Sequence, residues 1–152
     1  MHSIQTLSGA FERAERKTAH LLLVEDDETD VLFVERCLAK HEGKVPLTVA
    51  RDGAEALQIL RAGEDVKRPY VILTDLNMQG MSGHEMIDEI RDDSALKDSV
   101  IFVLSSSRLA GDIARAYDKN VAGYLTKQVP ANELTKHLSL IFDYCTSVHL
   151  PD

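Results

Sequence analysis

Five side chains, Glu25, Asp26, Asp75, Ser105 and Lys127, could share one piece of chemistry, although the last four follow one another at intervals of 49, 30 and 22 residues. Three carboxylates gathered in a shallow pocket repel one another unless a positive charge sits among them. A hard divalent cation relieves that repulsion, and Mg²⁺ is suited to one or two carboxylates completed by waters and phosphate oxygens. Glu25 and Asp26 offer such a seat, Asp26 directly and Glu25 through water, and the backbone carbonyl of Asn77 could add a ligand. A carboxylate that attacks phosphorus needs the charge of the phosphoryl group neutralised first. Lys127 could do so opposite the metal, and Ser105 could donate to a phosphoryl oxygen. The chemistry in view is phosphoryl transfer to Asp75.

These residues can meet only if the fold brings five chain segments to one edge. Short apolar runs at His20 to Val24, Leu47 to Ala50, Val71 to Thr74, Val100 to Leu104 and Gly123 to Leu125 do not alternate with polar residues. Such runs suit strands of a parallel sheet, covered on both faces. Between them the apolar residues fall at helical spacing: Val31, Val34 and Leu38, then Leu57 and Leu60, then Met86, Ile87 and Ile90, then Ile113 and Ala116. A last helix from about Ala131 sets Leu134, Leu138, Ile141 and Cys145 on one stripe. Asp52-Gly53 and Ser82-Gly83 mark loops, and Pro130 stands where a helix opens. Strand and helix in repeated alternation predict an α/β fold, a doubly wound sheet with right-handed crossovers. In such sheets ligands bind beyond the carboxyl ends of the strands. Glu25 and Asp26 follow the first run, Asp75 the third, Ser105 the fourth and Lys127 the fifth.

Composition narrows the function classes. The chain has 152 residues, 44% hydrophobic and 28% charged, which predicts one globular domain with a full core. Its net charge of −8 gives nucleic-acid binding no electrostatic support. It has no apolar run long enough to span a membrane and no secretory h-region in its first residues. Cys37 and Cys145 form no CxxC pair, and the six histidines show no metal-ligand spacing, so a reducing cytoplasm is the expected setting. The expected division is an N-terminal extension over 1–18, in which FERAERK could form a short charged helix, a domain over 19–146 and a tail over 147–152.

The segments LLLVEDD, VILTDLNM, VLSSS and GYLTK, in this order, resemble the receiver domains of response regulators, from about His20 to Leu140. Each motif alone is weak, but all five functional positions are filled. The resemblance implies a five-stranded parallel (βα)5 flavodoxin-like sheet of strand order 2-1-3-4-5. It also implies that the chain is a phosphoacceptor switch rather than an enzyme. Asp75 matches the acceptor, Glu25 and Asp26 the acidic pair for Mg²⁺, and Asn77 the carbonyl ligand. Ser105 matches the switch hydroxyl, Tyr124 the aromatic that follows it, and Lys127 the lysine. Ser107 and Asn77 match positions that tune the lifetime of the phosphoryl group. The implied phosphodonor is a sensor histidine kinase, and a histidine phosphotransfer protein is a further candidate partner. The stretch from Glu42 to Leu47, the LTDLN loop, LSSS and the lack of an output domain look most like the small stand-alone regulators paired with bacterial phytochromes.

Two positions depart from the family pattern. Gln79 and Gln128 stand where proline is usual. A cis bond before a non-proline residue costs about 3 kcal/mol, so the Lys127-Gln128 peptide is expected to be trans with a shifted loop, or cis and strained. Leu140, Tyr144 and Val148 form a second apolar stripe on the last helix, expected either to make a homodimer or partner face or to fold back on the domain.

Other readings of the residues stay open at this point. The acids at 25–30 could simply complement a helix dipole, Ser105 could be a polar strand end, Lys127 a surface lysine and Tyr124 a core residue. A flavin carrier of related topology is disfavoured, because the acids after the first strand would repel a flavin phosphate. An aspartyl-phosphate hydrolase would commonly show a DxD pattern at the acceptor, which reads Thr-Asp-Leu-Asn here. A phosphorylation-independent interaction module is the remaining alternative.

Overall fold

The structure is a computed structural model and describes residues 15–152. Five strands alternate with five helices: β1 (His20–Val24), α1 (Glu28–Ala39), β2 (Leu47–Ala50), α2 (Gly53–Ala62), β3 (Tyr70–Thr74), α3 (Gly83–Asp92), β4 (Val100–Ser105), α4 (Ala110–Asp118), β5 (Gly123–Thr126) and α5 (Ala131–Ser147). All pairings are parallel, in the order β2-β1-β3-β4-β5. The order reverses between β1 and β3, so the loops after these two strands share one crevice. The register sets Val24 beside Thr74 and Thr74 beside Val103, which brings the carboxyl ends of the three inner strands level.

Two apolar layers hold the sheet. Leu22, Val24, Ile72, Ile101 and Val103 pack on one face under Leu57, Leu60, Met86, Ile87 and Ile90. Leu21, Leu23, Val71, Leu73 and Leu104 pack on the other under Val31, Val34, Leu138, Ile141 and Phe142. All five residues of β3 are buried, as continuous apolar composition requires of a strand covered twice. Burial of one such aliphatic side chain contributes about 1.5–3 kcal/mol.

Local chemistry sets the helix starts beside the crevice. Asp27 caps α1 by accepting from the amides of Thr29 and Asp30 at 2.8 and 3.2 Å. Ser82 and Glu85 form a capping box at α3. Gly63, with φ 64°, ends α2 in the left-handed region where glycine carries no Cβ penalty.

The strand expectations hold with small shifts. β1 and β2 have the expected bounds, β3 starts one residue earlier, and β4 and β5 each run one residue further, to Ser105 and Thr126. The second stripe on α5 is corrected. Tyr144 is not spare: its ring meets Phe102 edge-on, with centroids 5.2 Å apart, and Leu150 packs against the same core. Of that stripe only Leu140 is well exposed, at 64%, so most of it is not surplus to the core. The charged-helix expectation for FERAERK lies outside the described residues up to position 14, and residues 15–19 carry no helix. Ala19 is wholly buried and donates its amide to Cys145 O at 2.9 Å, tying the entry to β1 against α5. The cysteines are unpaired, and burial pushes the Cys145 thiol up to about 12.

One contact between α5 and the loop after α1 responds to pH. His41 Nε2 lies 2.7 Å from Asp143 Oδ1, and that hydrogen bond raises the imidazole above its ordinary 6.5. A pKa raised on folding stabilises fully below the unfolded-state value and is lost as pH rises through the folded one. Asp143→Asn should therefore lower the unfolding midpoint at about pH 6 and change it little at about pH 8.5. An equal shift at both would show that the pair contributes nothing as ions.

Candidate functional site

The carboxyl ends of β1, β3 and β5 bring Glu25, Asp75 and Lys127 into contact. Lys127 Nζ donates to Glu25 Oε1 at 2.6 Å, to Asp75 Oδ2 at 2.9 Å and to Asp30 Oδ2 at 2.7 Å. Asp75 is buried at the end of β3, and its Oδ1 accepts the amides of Leu76 at 2.7 Å and Asn77 at 3.4 Å. Its carboxylate is thus fixed in orientation by the turn that follows it. Asp26 is exposed, and its Oδ2 accepts the amide of Gln79 at 3.1 Å. A proline at 79 could not make that bond, so the departure at this position couples Asp26 to the loop after β3.

The electrostatics of this group are unbalanced. Desolvation pushes the Glu25 carboxyl up to about 7 even though the ammonium of Lys127 pulls it down. Burial alone would lower Lys127, but its bonds to Asp30, Glu25 and Asp75 outweigh it and hold the amine above its usual value. The two partners of one ion pair are therefore shifted in opposite senses, one against its charged form and one toward it. Burial accounts for the Glu25 shift, while Lys127 is held charged because its one ammonium is shared by three acids. Further positive charge is what the pocket lacks, and oxygen donors are what it offers. That donor chemistry fits Mg²⁺. Among the described residues no three His, Cys, Asp or Glu side chains form a ready metal cage. An ion here would be held by one or two carboxylates, with the remaining positions left to solvent or a ligand.

Ser105 and Tyr124 are linked to each other through Ser107, and Ser105 O accepts the Lys127 amide at 2.8 Å. Ser105 is fully buried, and its Oγ accepts the Ser107 amide at 3.2 Å. Tyr124 is partly buried and donates its hydroxyl to Ser107 O at 2.8 Å. Ser107 Oγ donates to Asp112 Oδ2 at 2.6 Å, and Asp112 Oδ1 lies 3.1 Å from His84 Nε2. One loop residue thus joins β4, β5, α4 and α3.

The start of α3 lies directly on the carboxyl end of β3. Gly83 donates its amide to Leu76 O at 3.0 Å, and a Cβ at Gly83 would overlap Asp75 O and stand 2.8 Å from Leu76 Cα. The Lys127-Gln128 peptide is trans, since the only cis bond among the described residues is Arg68-Pro69. Gln128 uses the amide that proline would lack, donating to Thr126 Oγ1 at 3.1 Å. The departure therefore yields the unstrained alternative, and Lys127 still reaches Asp75.

Of the seven residues predicted for the site, Glu25, Asp75 and Lys127 touch. Asn77 is tied to Asp75 through its amide, Asp26 lies on the Gln79 side of the crevice, and Ser105 and Tyr124 are linked through Ser107. Asp30 was not foreseen. The signal available for it was its place in the first turn of a helix that opens beside the acidic pair, one residue of many acids in EDDETD.

Comparison with known proteins gives the family and the fold. The sequence profile of the response regulator receiver domain matches residues 21–139. The chain is 34% identical over 119 residues to the response regulator Rcp1 of Synechocystis sp., covering 76% of this chain and 81% of the relative. It is 30% identical over 126 residues to a probable methanogenesis regulatory protein, FilR2, of Methanothrix harundinacea, covering 82% and 81%. Among solved structures it resembles the phosphorylated cyanobacterial phytochrome response regulator RcpA, with TM-score 0.79 and 32% identity over 90% of this chain and all of the other. The Mn²⁺-bound form of Rcp1 is similar at TM-score 0.79 and 32% identity, covering 88% and 99%.

Proposed function

This chain belongs to the response regulator receiver domains of two-component systems, and we propose that it accepts a phosphoryl group on Asp75 from a sensor histidine kinase in the cytoplasm. The observation that carries this reading is the buried Asp75 carboxylate, oriented by two backbone amides and contacted by Lys127. An oxygen of Asp75 forms a bond to phosphorus as the P–N bond to the donor's imidazole breaks, and that electron pair leaves with the imidazole. Lys127 and the hydroxyl of Ser105 donate to the phosphoryl oxygens, and Tyr124 follows the loop that Ser105 moves. Asp26, Asp75 and the Asn77 carbonyl, with Glu25 through water, would hold Mg²⁺, which when bound supplies charge neutralisation at the phosphoryl oxygens. The likeness to RcpA and Rcp1 supports a bacterial phytochrome as the kinase.

Incubation with Mg²⁺ and acetyl phosphate tests the reading. Wild type should acquire an acid-stable, base-labile label that chelation of the metal prevents. Absence of label at saturating donor and metal would leave the phosphorylation-independent module as the surviving reading. Asp26→Ala should reduce apparent Mg²⁺ affinity by more than the roughly 10- to 100-fold that loss of an outer-shell partner costs, measured by titrating the labelling rate with metal. Unchanged metal dependence would place the seat elsewhere.

A further inference from the structure

A lysine ammonium has three N–H donors and no acceptor. In Lys127 all three are taken, by Glu25, Asp75 and Asp30. The first two acids are buried, at 2% and 8% side-chain exposure, and sit at strand ends facing the crevice. Asp30 differs. It belongs to the first turn of α1 and is 38% exposed, so water can receive its carboxylate at little cost. Its own backbone amide is already held by the Asp27 cap, so its place on α1 does not need the lysine.

We propose that Asp30 is a positioning residue for Lys127, holding the ammonium toward α1 and competing with the incoming phosphoryl group for it. This rests on the reading of Asp75 as the phosphoacceptor. An anion entering the pocket meets a lysine whose charge is already shared three ways, and it must also approach the Asp30 carboxylate. Both effects oppose its entry. Removing this one charge leaves Glu25 and Asp75 as the only acids on Lys127 and frees one donor for a phosphoryl oxygen. Motif reading passes over Asp30, because nothing in its type or spacing separates it from the neighbouring acids.

The test is the rate of labelling by acetyl phosphate at fixed Mg²⁺, as a function of donor concentration. Asp30→Asn should raise the rate at low donor roughly three- to tenfold, through a lower KM with a nearly unchanged plateau. Asp30→Ala should do the same, which guards against a fault peculiar to one side chain, and Asp30→Glu should stay near wild type. Glu28→Gln removes an equal charge from the same helical turn, where Glu28 pairs with Arg51 instead, and should change the rate less than twofold. Rates for Asp30→Asn and Asp30→Ala that equal wild type would overturn the proposal. So would an equal acceleration by Glu28→Gln, which would reduce the effect to net charge. If wild type takes no label, the reading of Asp75 falls and the proposal with it. If wild type is labelled and the Asp30 variants match it, only the proposal falls.

Discussion

Asp75→Asn should remove all labelling by acetyl phosphate while leaving the protein folded. The amide carbonyl of asparagine can still accept the amides of Leu76 and Asn77, now received by Asp75 Oδ1 at 2.7 and 3.4 Å. Its nitrogen would then face the ammonium of Lys127, which loses an acceptor but keeps Glu25 and Asp30. Taking one acid from a pocket with three acids to one ammonium relieves repulsion, which offsets the lost ion pair. The net change in stability should be within about 1 kcal/mol. The chemical change is of another order. An amide has no anionic oxygen to displace a leaving group from phosphorus, so labelling should fall to background. Mass spectrometry of the treated variant beside wild type, with unfolding curves for both, separates loss of the nucleophile from loss of the fold. Equal label in the variant would place the acceptor at another residue.

Gly83→Ala should show the largest stability loss among single-methyl changes near the site. The added carbon would overlap the carbonyl oxygen of Asp75 and crowd the α-carbon of Leu76, both backbone atoms without rotamer freedom. Relief requires α3 or the turn after β3 to move, and overpacking of this kind costs about 1–3 kcal/mol. The higher helix propensity of alanine is worth about 1 kcal/mol in a helix interior and scarcely applies at the first helical residue. Strain therefore wins. For a chain of this length a loss near 3 kcal/mol lowers the midpoint by about 6–12 °C. Labelling should also slow at temperatures where the variant is fully folded, because the displaced backbone atoms carry Asp75, the proposed acceptor. A midpoint within about 1 °C of wild type would mean that α3 can retreat freely from β3.

Much of the fold was legible because the strands are short, apolar and buried on both faces. The bounds of β1 and β2 follow directly from HLLLV and LTVA. Where β4 and β5 run one residue further, the reason is tertiary: Ser105 and Thr126 pair with each other, which neither residue type announces. On α5, Phe142 is buried although it stands one step round from the stripe through Ile141, and Tyr144 finds Phe102 on β4. A 3.6-residue period marks the centre of a buried face and not its width. The site divides in the same way. Acids and lysine at strand ends could be read from their positions, because the sheet converts strand ends into neighbours. The amides of Gln79 and Gln128 could not, since a motif of side chains is silent about backbone donors. Asp30 needed the length of the Lys127 side chain and the pitch of α1 together.

The bonds of Ser107 bear on how the molecule changes state. Its amide, hydroxyl and carbonyl are each engaged by a different partner: Ser105, Asp112 and Tyr124. A half-shifted loop would strand at least one of these polar groups without a mate, and buried or half-buried orphans are expensive. Two fully bonded arrangements with little between them are then favoured over a continuum. If the proposed phosphorylation of Asp75 displaces this loop, such a hub would make the response all-or-none in each copy, so that a graded stimulus would be read as the fraction of molecules that have flipped.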